Sequence, residues 1–433
     1  MCNNNGHCRK FDAGTMCPSY RVTRDETHST RGRANTLRLA LAGELGAGFA
    51  SSDVRDALDL CVGCKGCRRE CPTGVDMARM KIEFRHQWQR RHGLAIGERI
   101  VASLPRWAPW ASRAPWLANA RDTLPGAAWL AERGLGFAAR RSLPVWRRDT
   151  FLRGDASGAG SDAAARSVAS APAPDVVLFV DTFTNYFEPA NARAALAVLR
   201  AAGYAVEVAH AVAGDGTRPL CCGRTYLAAG RVDAARREAR RLVAALAPHA
   251  ARGAAIVGLE PSCLFSLRDE FQVMGLGDAA AVLGARAFMI EEFLAGEHRA
   301  GRLALALAPL PVARALVHGH CHQKAFGAMD AVREVLALVP GLAVDVVESS
   351  CCGMAGSFGF EAAHFDVSMA MAELSLLPAV RAAGADTLVV ADGTSCRHQI
   401  ADGLRGEDAA TGAPRRALHV VEVLERALAG AAR

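Results

Sequence analysis

Residues 221–223 read Cys221-Cys222-Gly223, and the same tripeptide returns 130 residues later as Cys351-Cys352-Gly353. A second landmark keeps step: Cys263 returns as Cys396, 133 residues on. Self-similarity at a near-constant spacing marks an internal duplication. Around these landmarks short apolar runs alternate with helical patterns, which signals βαβ units on a parallel sheet. Strands are predicted at Val176 to Val180, Tyr204 to Ala209 and Ala255 to Leu259, separated by helices such as Ala190 to Ala202 and Val232 to Leu246. The order recurs as strands Ala315 to His318, Leu342 to Val347 and Thr387 to Ala391, with helices near Met329 to Leu338 and Ala362 to Ala383. A first repeat is therefore placed at 176–300 and a second at 312–433.

In the second repeat Cys321, the pair Cys351-Cys352, and Cys396 each fall at the C-terminal end of a predicted strand. That edge of an open parallel sheet is where ligands bind, so four distant cysteines converge on one crevice. With His320, His322 and His398 beside them, the set suits zinc or an iron–sulfur cluster, structural or redox thiols being the alternative. The first repeat keeps Cys221, Cys222 and Cys263, but Asp181 or Thr182 stands where Cys321 would be, so it is expected to be mainly structural. Gly353-Met354-Ala355-Gly356-Ser357-Phe358-Gly359 reads as a tight loop entering a helix, without the spacing of a nucleotide-binding fingerprint.

Upstream, residues 61–72 read Cys61-Val-Gly-Cys64-Lys-Gly-Cys67-Arg-Arg-Glu-Cys71-Pro72. Three closely spaced thiolates followed by a fourth and a proline form the ferredoxin-type run for a [4Fe–4S] cluster. Structural zinc usually takes two separated cysteine pairs, and this spacing leaves no knuckle between them. Cys2, Cys8 and Cys17-Pro18 form a second half-motif, with Asn5 where a middle cysteine would stand. If ligands cross over as in two-cluster ferredoxins, Cys61, Cys64, Cys67 and Cys17 hold one [4Fe–4S] cluster. Cys2, Cys8 and Cys71 are then left for a second site: a three-iron cluster, a four-iron cluster with an unusual ligand, or none.

The chain has 433 residues, 51% of them hydrophobic, which suits two or more independent cores. No apolar run is long enough for a membrane span, and no secretory signal is evident. The 14 cysteines are read as free thiols in a reducing, cytoplasmic setting, with peripheral placement on the inner face of a membrane as an option. Net charge is +7, yet 47 of the 51 basic residues are arginine, a bias that looks like codon usage, so nucleic acid is not expected as a partner. Residues 1–150 hold 25 basic and 14 acidic side chains, or +11, against −4 for the rest; this is a docking surface for something acidic or a solvated basic face. All six tryptophans lie between Trp88 and Trp146, mostly in a proline-broken stretch read as short packing helices, a quinone or membrane-surface site being the other reading. Residues 152–175, rich in Gly, Ala, Ser and Pro, read as a flexible linker.

With these motifs in view, the chain resembles the iron–sulfur C-terminal half of FAD-linked oxidases of the D-2-hydroxyglutarate and D-lactate dehydrogenase type. Cys2-Asn-Asn-Asn-Gly-His-Cys8-Arg-Lys, Met16-Cys-Pro-Ser-Tyr20, His28-Ser-Thr-Arg-Gly-Arg33 and Asp59-Leu-Cys61 to Val75 carry the likeness. Glu260-Pro-Ser-Cys263, His318-Gly-His-Cys-His-Gln-Lys324 and Cys351-Cys-Gly-Met-Ala-Gly-Ser-Phe358 extend it. The paired CCG repeats connect it more broadly to the glycolate oxidase iron–sulfur subunit and to heterodisulfide reductase subunits. In those domains a cysteine stands three before the last one, where this chain has Glu260 and Gly393.

The resemblance implies an α+β protein: a helical ferredoxin-like iron–sulfur domain (1–95), a Trp-rich helical connector (96–151), the linker, and a duplicated α/β CCG pair. It implies an electron-transfer portion of a FAD-linked 2-hydroxy acid dehydrogenase acting on D-2-hydroxyglutarate, D-lactate or glycolate. FAD would sit on a partner subunit or a missing upstream domain, since only Met1 precedes Cys2. The downstream acceptor would be a quinone or an electron-transfer protein. A thiol/disulfide redox subunit using the second repeat is the alternative. No constellation suited to hydride abstraction is evident, so no catalytic residue is assigned.

Overall fold

The computed structural model describes residues 2–12, 14–46, 48–154, 175–212, 214–215, 218–406 and 415–429. Of the linker reading, 152–154 belong to a short helix, Phe151–Gly154, and 155–174 lie outside the described residues.

The N-terminal part is helical. Pro18–Thr23, Thr30–Leu41, Ser52–Asp59, Gly66–Glu70 and Met77–His92 are its helices. Three begin at side-chain caps, where Ser29, Ser51 and Asp76 accept from the backbone N–H of Gly32, Val54 and Arg79. Their inner faces bury Leu37, Val54, Leu58, Met77 and Phe84 together with Cys8, Cys17 and Cys67. The thiols are thus part of the packed interior.

The first repeat is a four-stranded parallel sheet of β1 (Val176–Phe179), β2 (Val206–Val208), β3 (Ala255–Gly258) and β4 (Ala287–Met289), in the order β2-β1-β3-β4. The second has β5 (Arg314–Val317), β6 (Ala343–Val346) and β7 (Thr387–Val390), in the order β6-β5-β7. A parallel bridge from Val390 to Leu418 stands where β4 stands in the first sheet, so the duplication extends to strand order. β1 and β3 are buried along their whole length, as continuous Val, Leu and Ile runs require when helices cover both faces. The two sheets share one core. Helix Pro189–Ala201 of the first repeat packs on the C-terminal helix Val420–Ala427, and Ile290–Arg299 packs on Met329–Ala337.

Two sequence expectations are corrected. The single helix over 362–383 is two, Phe365–Glu373 and Leu376–Ala382, interrupted at Ser375. The loop after Cys352 enters only the 3-10 turn Phe358–Phe360, because Gly353, Ala355 and Gly356 all have positive φ. Gly353 is fixed there by space as well: φ is +88°, and an added Cβ would collide with the carbonyl oxygen of Ser368. Gly353→Ala is therefore expected to cost about 2–4 kcal/mol in urea unfolding. A loss under about 0.5 kcal/mol, by the same order-of-magnitude scale, would contradict the fit.

The connector runs as short helices, Ile96–Ala102, Leu104–Ala111, Pro115–Ala118, Ala120–Thr123 and Ala127–Leu135. It packs Leu104, Ala108 and Trp146 against Tyr186 of the first repeat. It also reaches the second repeat: the buried Arg141 donates to the Gly359 carbonyl at 3.0 Å and to Ser368 Oγ at 3.1 Å. The helical part docks on the first repeat through a buried ion cluster. Lys65 Nζ bonds Asp269, and lies 2.9 Å from Glu270. Arg68 reaches Asp269 at 2.6 Å, and Arg224 reaches Glu270 at 2.6 Å. Among the described residues no helix is long and apolar enough to cross a membrane.

Candidate metal centres

Cys17 sits at the N-cap of helix Pro18–Thr23, and Cys61 and Cys64 lie in the loop after helix Ser52–Asp59. That loop turns back on itself through Gly63 and Lys65, both with φ near +60°, which presents Cys67 on the next helix. The four thiols become neighbours across a 44-residue separation. Cys17 feels the charge of Cys61, Cys67 feels Cys17 and Cys61, and Cys64 feels Cys67 and Cys17. Burial pushes the Cys17 thiol up to about 11, against the pull of Arg33 and a 2.8 Å contact with Thr30 Oγ1. Burial likewise lifts Cys67 to about 12. The buried thiols of Cys17, Cys64 and Cys67 ionise only with a cation among them, so the donor set fits a cationic iron core. Lys81 flanks the group: it donates to the carbonyls of Asp59 at 3.0 Å and Cys61 at 2.6 Å, and burial lowers its ammonium to about 8.

The other N-terminal cysteines are arranged differently. Cys8 is buried and accepts from the Arg31 N–H at 3.3 Å, and the charges of Cys8 and Cys2 both act on the Arg31 guanidinium. Cys2 accepts from the Asn4 N–H at 3.4 Å. Cys71 ends helix Gly66–Glu70; burial raises its thiol, but Thr73 Oγ1 at 3.3 Å and the N–H groups of Thr73, Gly74 and Val75 prevail and lower it. The Asn5 side chain is exposed and its oxygen is spent on the His7 N–H.

In the second repeat the strand ends bring Cys321, Cys351, Cys352 and Cys396 into one chain of thiol contacts. Cys351 touches both Cys321 and Cys352, and Cys352 touches Cys396. The contact with Cys351 outweighs burial and lowers the Cys321 thiol to about 6. The imidazole that joins these thiols is His318, at the end of β5. Ligand atoms of His318, Cys352 and Cys396 all lie within 4.8 Å of one another, and all three residues are buried. His318 Nδ1 is 2.9 Å from Ser349 Oγ, which leaves the buried Nε2 facing the Cys352 thiol. Burial pushes this imidazole down to about 4, so it is neutral and offers a lone pair to a metal. A buried imidazole nitrogen beside the Cys352 and Cys396 thiols fits a metal centre.

His320 and His322 are placed otherwise. His320 Nδ1 accepts from the His322 N–H and caps helix Cys321–Phe326, with its ring beside Cys396. His322 Nε2 contacts the Gly63 carbonyl at 3.2 Å, tying the repeat to the N-terminal loop. His398 Nε2 meets the Ser142 carbonyl at 3.0 Å. Lys324, also near the thiols, bonds the backbone of Ser349 and Ser350. Sequence reasoning passed over His318, Lys324 and Lys81 as site residues; the HGHCH spacing identifies a cluster of histidines but not which one turns inward.

The two departures from the CCG pattern have physical roles. At Gly393 an added Cβ would collide with the His320 ring and sit 3.3 Å from Cys396 Sγ, so no side chain fits. Glu260 accepts from Ser262 Oγ at 2.8 Å in its own helix and from the Thr394 N–H at 2.9 Å in the other repeat. In the first repeat Cys221, Cys222 and Cys263 keep their thiol contacts, with Thr182 rather than Asp181 against Cys221. Asp181 instead caps its helix, accepting from Phe183 N–H at 2.8 Å.

Cys64 also feels Cys321, so the two thiol groups adjoin. A cavity of about 670 Å³ is lined by Cys61 of the first group and by Cys321, Cys351 and Cys352 of the second. At its wall His364 is hydrogen-bonded to Asp59 at 2.8 Å and its other ring nitrogen lies 2.9 Å from a Glu361 carboxylate oxygen. Burial works against its charge, but the two carboxylates prevail and raise it to about 9. A histidine raised from about 6.5 stabilises fully below pH ~6.5, and loses that contribution as pH rises through ~9. Wild type should therefore lose roughly 1–3 kcal/mol relative to His364→Gln between about pH 6.5 and 10. Parallel pH profiles of the two proteins in urea would contradict the pairing.

The helical thiol cluster and the cysteine-bearing strand ends of the second repeat each fall within a match to a family model. Residues 1–75 match the model of the 4Fe-4S dicluster domain, and residues 315–401 match the cysteine-rich domain. The chain is 26% identical over 447 residues to D-2-hydroxyglutarate dehydrogenase of Escherichia coli (strain K12), covering 92% of this chain and 41% of that protein. It is 29% identical over 286 residues to a subunit of the anaerobic glycerol-3-phosphate dehydrogenase of the same strain, covering 66% of this chain and 67% of that protein. Over 86 residues it is 33% identical to the probable glycolate oxidase iron-sulfur subunit of Bacillus subtilis (strain 168), which is 20% of this chain and 19% of that protein. The chain thus spans about two fifths of the length of the D-2-hydroxyglutarate dehydrogenase it matches.

Proposed function

We propose that this chain is the iron–sulfur electron-transfer portion of a FAD-linked 2-hydroxy acid dehydrogenase. The flavin would reside on an adjoining domain or partner subunit, and the substrate would be of the D-2-hydroxyglutarate, D-lactate or glycolate type. The observation that carries this reading is the adjacency of two buried thiol groups, with Cys64 a neighbour of Cys17, Cys67 and Cys321. Cys17, Cys61, Cys64 and Cys67 would hold a [4Fe–4S] cluster, and Cys321, Cys351, Cys352, Cys396 and His318 a further metal centre. A [4Fe–4S] cluster supplies one-electron exchange, which complements a two-electron flavin. The chain's own groups set the conditions: burial excludes water from Cys17, Cys64 and Cys67, and Arg33 beside Cys17 and Lys81 beside Cys61 offset the negative charge of the thiolates. Similarity to dehydrogenases and to iron–sulfur subunits supports the assignment.

The test is anaerobic mixing of the reconstituted chain with reduced free flavin. Rapid bleaching of the visible iron–sulfur absorption is expected, with no oxidation of hydroxy acids by the chain alone. A chain that dithionite bleaches but reduced flavin does not would overturn the flavin as electron donor.

A further inference from the structure

Helix Cys321–Phe326 carries Cys321 as its first residue and Lys324 as its fourth. Lys324 Nζ donates to acceptors that directly precede the Cys351-Cys352 pair: the Ser349 carbonyl, Ser349 Oγ at 3.0 Å and the Ser350 carbonyl at 3.2 Å. Three acceptors around one nitrogen match the three N–H groups of a charged lysine. Burial works against that charge, and the thiols of Cys321, Cys396, Cys351 and Cys352 favour it. Ser349 joins this cation to the imidazole of His318. Its Oγ takes the Lys324 N–H, donates its own hydrogen to the Val347 carbonyl at 3.4 Å, and lies 2.9 Å from His318 Nδ1. The lone pair that remains on Oγ accepts Nδ1–H, which leaves the ring's own lone pair on Nε2, beside Cys352 and Cys396. His318 and Ser349 are both buried, so this contact is sheltered from water.

The duplication offers a comparison within the chain. Counted from the strand end, the helix start and the CCG tripeptide, the positions of His318, Lys324 and Ser349 are held in the first repeat by Val180, Asn185 and Pro219. These have no imidazole, no ammonium and no hydroxyl. That repeat also has Thr182 where Cys321 stands, so the Lys324–Ser349–His318 tie and the full donor set occur together. We propose that Lys324 and Ser349 are positioning residues for the metal centre of the second repeat. Ser349 fixes the His318 tautomer with Nε2 as the ligand atom, and Lys324 holds Ser349, and the backbone entering Cys351, against the helix of Cys321. The inference rests on the proposed metal centre and deepens it by naming what orients its imidazole. A ring whose other N–H has a fixed acceptor binds metal more tightly, because neither its orientation nor its tautomer is left to be frozen on binding.

The test is metal retention by the anaerobically reconstituted full chain, with no electron donor, dialysed against rising concentrations of EDTA. Metal that wild type keeps and His318→Ala loses belongs to this centre. Ser349→Ala and Lys324→Met are each expected to release it at an EDTA concentration about 10- to 100-fold lower than wild type. Should one of the two not fold, the other carries the test. Ser349→Thr, which keeps the hydroxyl, should restore retention, and Ser349→Ala should add no loss in the His318→Ala background. Wild-type retention in Ser349→Ala and Lys324→Met, with the metal lost from His318→Ala, overturns the positioning pair and leaves the metal centre standing. A Ser349→Ala loss that persists in the His318→Ala background marks a general fault of folding and also overturns the pair. Wild-type retention by His318→Ala overturns the imidazole ligand itself, and the pair with it.

Discussion

Replacing Lys65 with methionine is expected to destabilise the folded protein by about 3–5 kcal/mol, because it leaves buried carboxylates short of a cation. Lys65 and Asp269 are 1% and 0% exposed at their side chains, and Glu270 is 5% exposed. Methionine keeps the length of the side chain but not its ammonium, so the loss is electrostatic. The carboxyl of Asp269 is held below its usual range: burial would raise it, but Lys65 and then Arg68 and Arg79 prevail. Arg79 is 38% exposed, and Arg79→Met should cost no more than about 1 kcal/mol, which separates the buried pair from a screened one. Urea unfolding of the two variants checks both. Lys65 also stands between Cys64 and Cys67, so iron retention should fall in Lys65→Met while Arg79→Met keeps it. Equal and small losses in both would contradict a docking role for the ion cluster.

Arg397→Met is expected to cost a similar amount, about 3–5 kcal/mol, at the seam between the two repeats. Arg397 is 7% exposed and donates to Glu188 Oε1 at 2.8 Å and to the Ala391 carbonyl at 2.7 Å. Glu260 and Asp392 lie within its field, so removing the cation strands three carboxylates at once. Burial opposes the charge of Glu188, but Arg397 and a bond from Thr394 win and depress it to about 2. A carboxyl depressed from its ordinary value near 4.5 adds stability above pH ~4.5, and that stability is lost as pH falls toward ~2. Wild type should show this acid slope, and Arg397→Met should lack it. Identical acid profiles would place the seam's stability in the shared apolar core of Val198, Val332, Val420 and Leu424 instead.

The duplicated sheets are legible in sequence because CCG and the later cysteine fix the ends of successive strands, and continuous apolar runs such as Val176-Val177-Leu178-Phe179 leave little freedom of assignment. β4 escapes because Ala287-Phe288-Met289 is three residues long, and Leu418 joins the second sheet by one bridge. Periodicity runs through Ser375, where the backbone leaves the helical region at φ −157°, so one helix is read where two exist. In the site, spacing groups the cysteines but cannot orient the histidines. His318 ends a strand and turns inward, His320 caps a helix, and His322 reaches a carbonyl 259 residues away. Nor does composition sort the tryptophans: Trp107 and Trp110 are three residues apart, yet one lines the cavity and the other faces solvent.

In the proposed arrangement Cys17, far from the ferredoxin-type run, completes a cluster with Cys61, Cys64 and Cys67, while Cys71 stays outside it. Iron analysis and low-temperature EPR of dithionite-reduced, anaerobically reconstituted Cys17→Ala and Cys71→Ala test this side by side. Cys17→Ala is expected to lose the [4Fe–4S] signal and about four irons per chain, and Cys71→Ala to keep that signal. A Cys17→Ala protein with the wild-type spectrum, or a Cys71→Ala protein without it, would contradict that ligand set.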